Sequence, residues 1–174
     1  LATIEAIQTQ YLEANAATVS FSGIPATYEH LQLRGGLKTV HTGGQADFTM
    51  NLATGGGAVD TGNNYSYHGM YGSGAGAAAL SAASGRLKFY TASTTAANDA
   101  TNYGGFVIDI LDYANANKNT TLQGLVGLND AYGWVALDSG LWDNTGAVTT
   151  VQIAGSYGDI VRGSEFTLYG LKSS

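Results

Sequence analysis

The stretch Glu165-Phe166-Thr167-Leu168-Tyr169-Gly170-Leu171 alternates strictly between polar and apolar residues up to its glycine. A period of two puts Phe166 and Leu168 on one face of a strand and Glu165, Thr167 and Tyr169 on the other. Gly163 supplies the turn before it, and Gly170 leaves room for a neighbouring backbone. A strand in this place has only earlier strands to pair with, so the fold must close non-locally. The stretch carries no visible chemistry; it marks a compact β module.

The same grammar recurs along the chain. Ile4 to Leu12, Thr18 to Ser22, Tyr28 to Leu37, Ala46 to Leu52, Tyr65 to Tyr71 and Arg86 to Ala92 read as strands. Phe106 to Leu111, the most apolar run, reads as a central strand with Leu122 to Asn129 as its partner. Tyr132 to Ala136 and Val148 to Ala154 follow, and Asp138 to Gly146 reads as a loop carrying Trp142. Gly, Asn and Asp clusters fence these runs, and no helical period alternates with them. The pattern predicts an all-β fold: an antiparallel β-sandwich, jelly-roll-like, of about ten strands, as a single domain over residues 1–174. Inward alternation predicts a core of Phe21, Leu33, Phe48, Phe89, Ile108, Trp134, Val151 and Leu168. Gly72 to Gly85 is low-complexity Gly/Ala/Ser, predicted as a mobile or assembly-ordered loop that contacts neighbours.

Charged residues make up only 11% of the chain, against about 25% in ordinary globular domains. Its surface must therefore be built from Gly, Ala, Thr, Ser, Asn and Tyr, which neighbours bury readily. The net charge is −6 and the seven Lys and Arg are scattered. Nucleic-acid binding needs clustered cations, so direct binding is not expected. No apolar run approaches the roughly 20 residues of a spanning helix, and no membrane partner is expected. The chain has no Cys, which excludes disulfides and thiolate metal sites.

Candidate chemistry is sparse. Asp138, Asp143 and Asn144 offer three oxygens to a Ca²⁺ site that needs six to eight, and they read better as turn carboxylates and caps. Asp109 and Asp112 share a strand end without further ligands. His30, His41 and His68 lack metal-ligand spacing and read as surface or interface residues. No G-x-S-x-G occurs, and no carboxyl pair is singled out for glycoside hydrolysis. The Gly-rich stretches at 55–57 and 72–76 lack the basic residue and helix of a phosphate loop. No catalytic residue, metal or cofactor is therefore expected, and the chain does not read as an enzyme.

Aromatics are a stronger signal: eleven Tyr, five Phe and two Trp. Tyr65, Tyr67 and Tyr71 fall at alternate strand positions. With Gly72, Gly74, Gly76, Leu80 and Trp142 they form the candidate interface. Such a row reads as core or as a protein interface, with a platform for stacking sugar rings as the alternative.

Three segments together resemble a known family. They are Thr18 to Arg34, with Phe21-Ser22-Gly23-Ile24-Pro25-Ala26-Thr27 at its centre; Asp60 to His68, followed by Gly72-Ser73-Gly74; and Gly163 to Leu171. Their order and spacing resemble small virion structural proteins of tailed bacteriophages. The resemblance implies a component of the particle exterior and a homo-oligomer, with other virion proteins, the major capsid or a tail protein, as partners. It implies a capsid decoration or cement protein. The alternative is a tail-associated or fibre-tip module that binds host surface glycans. It transfers no catalytic residue.

Overall fold

The structure, a computed structural model, describes residues 3–43, 46–73, 76–90, 101–128 and 133–172. Twelve strands are described: β1 (Thr3–Tyr11), β2 (Thr18–Ser22), β3 (His30–Leu37), β4 (Phe48–Thr54), β5 (Tyr65–Ser73), β6 (Gly76–Ser84), β7 (Leu87–Phe89), β8 (Gly104–Leu111), β9 (Thr120–Leu128), β10 (Trp134–Trp142), β11 (Val148–Gly155) and β12 (Glu165–Lys172). They form an eight-stranded sheet in the order β1-β12-β3-β8-β9-β10-β5-β6 and a four-stranded sheet in the order β2-β11-β4-β7. Every pairing is antiparallel.

The two sheets bury one continuous core between them. On β12, Phe166 and Leu168 are fully buried, as the alternation predicts. Val19 and Phe21 of β2 face them from the smaller sheet's side of the core. A chain of rings stitches the sheets together: Phe48 lies 5.1 Å from Phe89 and 5.0 Å from Phe106, and Phe106 lies 6.0 Å from Phe166. Each such pair adds roughly 0.5–1.5 kcal/mol beyond its area burial. Seven of the eight predicted core residues are buried. The exception is Trp134, which is half-buried, whereas Trp142 is 1% exposed.

That exchange of the two tryptophans has a local cause. The strand extends from Trp134 to Trp142, so the predicted loop over Asp138 is the second half of β10. Its inner positions are Ala136, Asp138, Gly140 and Trp142, and its outer ones include Val135, Leu137 and Leu141. Small inner residues are required by β7. A Cβ on Gly140 would stand 2.5 Å from Leu87, and one on Gly124 of β9 would stand 3.1 Å from Phe89. The bulk sits on β7, and the facing strands make room for it.

Two further expectations are corrected. Residues 76–84 form a strand rather than a loop, in nine uninterrupted pairs with β5, from Tyr65–Ser84 to Ser73–Gly76. Alanine favours helix intrinsically, but a ready ladder partner overrides that preference. Gly170 accommodates a side chain rather than a backbone: the Tyr28 ring occupies the space its Cβ would need.

Candidate interaction surface

The register of the large sheet writes three parallel rows across its outer face. The first is Met70–Leu137–Leu125–Val107, one residue from each of β5, β10, β9 and β8. Met70, Leu137 and Leu125 are each more than half exposed. Beside it runs Gly72–Val135–Gly127–Gly105–Gly36. No described residue lies within 4 Å of where a Cβ would stand on Gly105 or Gly127, so among the described residues these glycines leave an open trough. The third row, His68–Ser139–Gln123–Asp109–Gln32, is polar.

A groove of about 740 Å³ lies over the apolar and polar rows, lined in part by His68, Met70, Asp109, Leu125 and Leu137. A second of about 490 Å³ continues towards Val135 and Ala77. The Asp109 carboxylate accepts from Gln32 Nε2 at 2.6 Å and from Gln123 Nε2 at 3.3 Å. Arg34 Nε donates to Gln32 Oε1 at 2.5 Å, which orients the amide. Gln32, Asp109 and Gln123 of the polar row are thus bonded to one another, beside the exposed apolar row. Exposed apolar residues grouped in one row and bordered by polar groups make this face the candidate contact surface.

The aromatic candidates lie elsewhere. Tyr65 and Trp142 are in the core, stacked at 6.0 Å with planes 9° apart. The Tyr65 hydroxyl accepts from Leu52 N and donates to the Asp60 carbonyl. Trp142 Nε1 donates to Asp60 Oδ2 at 2.8 Å. Burial works against the Asp60 charge, but hydrogen bonds from Asn64, Trp142 and Gly62 outweigh it and hold the carboxyl below its usual range. Tyr67 and Tyr71 are half-buried on the same inner face. Tyr71 stacks on Tyr90 at 5.6 Å and tilts against Trp134 at 5.3 Å. Gly72 belongs to the outer trough, Gly76 and Leu80 to β6, and Gly74 lies outside the described residues.

A second polar feature sits inside the sandwich. Asp138 is 5% exposed and accepts from Tyr90 N at 3.2 Å through Oδ2, while its Oδ1 has no hydrogen-bond partner among the described residues. Burial pushes its carboxyl up to about 7, and the Asp47 charge adds to the rise. Asp47 pairs with Lys88 at 2.8 Å. Burial pulls the Lys88 ammonium down, but the bond and charge of Asp47 outweigh it and hold it above its usual range. Asp138 therefore sits apart from Asp143, whose Oδ1 accepts from Asn119, and from Asn144, which caps Gly146 N. Among the described residues no three His, Asp or Glu gather as metal ligands would.

His30 Nδ1 accepts from Asp112 N, His41 stacks on Tyr157 at 4.7 Å, and His68 is exposed on the outer face. The outer row of Met70, Leu125 and Leu137 was not among the sequence candidates. Its signal was present as apolar residues alternating with Gly124, Ala136 and Asp138, but their face is set by β7. Comparison with known proteins adds no relative: no protein-family model, curated protein or solved structure matches the chain.

Proposed function

We propose that this chain is a structural component of a bacteriophage particle, a decoration protein that cements the outside of the capsid. The observation that carries the reading is the exposed row Met70–Leu137–Leu125 on an outer face. A partner surface that is itself apolar and poor in charge would cover it with little desolvation penalty. The resemblance of the three sequence segments supplies the virion setting, and the two-sheet arrangement fits a jelly-roll-like sandwich. A glycan-binding tail module would need exposed coplanar rings. Tyr65 and Trp142 are buried and Tyr67 and Tyr71 half-buried, which favours attachment.

The experiment is occupancy of the particle. Particles assembled with Leu125→Ser plus Leu137→Ser should lose the protein, while the isolated variant keeps the wild-type melting temperature. Full occupancy by that variant, or absence of the wild-type chain from purified particles, would sink the reading.

A further inference from the structure

We propose that β6 is a pairing edge for a second copy of this chain, joined antiparallel across a two-fold axis at Leu80. Both sheets end in edge strands, and three of the four carry a device against intermolecular pairing. β1 has a register break between Ala6 and Gln8 and carries Glu5. β2 is five residues long, and β7 is three with Lys88 at its centre. Short edges, bulges and charges are the usual means of blunting a strand edge. β6 has none of them. It runs for nine residues, Gly-Ala-Ala-Ala-Leu-Ser-Ala-Ala-Ser, without charge, proline or bulge.

Seven of its nine residues are exposed. Among the described residues, only Leu80 and Ser84 of the strand are partly covered. One side of its backbone is paired with β5; the other, among the described residues, is not paired with any strand.

The sequence of β6 argues for a second copy over a different strand. Read antiparallel about Leu80, it matches itself: Leu80 meets Leu80, Ala79 meets Ser81, Ala78 meets Ala82, Ala77 meets Ala83 and Gly76 meets Ser84. Every cross-strand pair is small and uncharged except the central leucines, which flank the axis on one face. A two-fold interface needs this kind of self-complementary patch. Closing it pairs the open backbone groups and produces one sheet running through both copies. It uses the free backbone edge of β6, whose residues 77–80 only border the grooves over the outer row, so it goes beyond the attachment proposed above.

Sedimentation across a concentration series tests it. The wild-type chain should reach twice the 17.9 kDa of one copy. In the proposed register residue 78 of one copy faces residue 82 of the other, whereas within one strand they stand four residues apart. Ala78→Lys with Ala82→Lys should therefore give a monomer, and Ala78→Lys with Ala82→Glu should restore the dimer. A monomeric wild type, a mass above the dimer, or a dimer indifferent to the lysine pair overturns the proposal. A dimer lost in both variants overturns the register at Leu80. Should either variant fail to fold, amide exchange on the wild type decides: β6 amides facing away from β5 should slow by about tenfold or more on dimerisation. Exchange that does not change with concentration overturns it.

Discussion

Asp138 faces Gly69 across the β5–β10 ladder, and its Oδ1 fills the space that a Cβ on Gly69 would need. Burial holds this carboxyl near 7, whereas in the unfolded chain it titrates near its ordinary value of about 3.9. Between those values the folded state keeps a proton that the unfolded state has lost. The contribution of Asp138 to stability is therefore full below about pH 4 and lost as pH rises through about 7. Melting temperatures from pH 4 to pH 8 should fall in the wild type and fall less in Asp138→Asn. Equal slopes in the two proteins would place the titration elsewhere.

Glycines on the two faces of the large sheet should behave oppositely. Gly140→Val puts a branched side chain against Leu87 and should cost about 1–3 kcal/mol, as overpacked cores do. Gly105→Ala and Gly127→Ala point into open space and should stay within about 0.5 kcal/mol of wild type. Urea titrations of the three variants give the comparison. A cost at Gly127 matching that at Gly140 would mean the outer trough is packed.

Phe21 and Leu168 are fully buried in opposite sheets. Truncation to Ala should cost about 3–5 kcal/mol at Phe21 and about 2–5 at Leu168. Chemical denaturation followed by far-UV circular dichroism measures both. A loss under about 0.5 kcal/mol at either site would contradict its burial.

Asp60 is held by hydrogen bonds from Gly62 N, Asn64 Nδ2 and Trp142 Nε1. Asp60→Ala strands the buried indole N–H and should cost about 1–3 kcal/mol. Because Trp142 is buried against the same loop, its fluorescence should shift in the folded variant relative to wild type. An unchanged spectrum and unchanged stability would show the loop to be loosely attached.

The alternation around Phe21 and Phe166 was legible because each face is uniform and the inner residues are large. On β10 it was not. Val135, Leu137 and Leu141 outweigh Ala136 and Gly140 in hydrophobicity, yet they face outward. The reason lies in Leu87 and Phe89, about fifty residues earlier, whose bulk claims the inner space. The row of Tyr65, Tyr67 and Tyr71 was correctly placed on one face, but a single strand cannot say what covers that face. β6 was illegible for another cause. Its residues are nearly alike, so no period exists to read, and its conformation comes from backbone pairing with β5. The outer row went unread with β10, whose Leu137 stands between Met70 and Leu125.

The position of β12 between β1 and β3 governs the order in which the molecule can be made. Thr3 pairs with Lys172 and Leu33 with Leu168, so β1 and one edge of β3 lack a partner until residues 165–172 have been translated. At synthesis rates of about 5–20 residues per second, that leaves the unpaired strands waiting for several seconds or more. Pairings of such long sequence separation also form slowly once the chain is available. The nascent protein thus passes through a stage in which its first strands are open to other chains. On β1 the register break and Glu5, which blunt the edge of the finished sheet, are already in place during that interval.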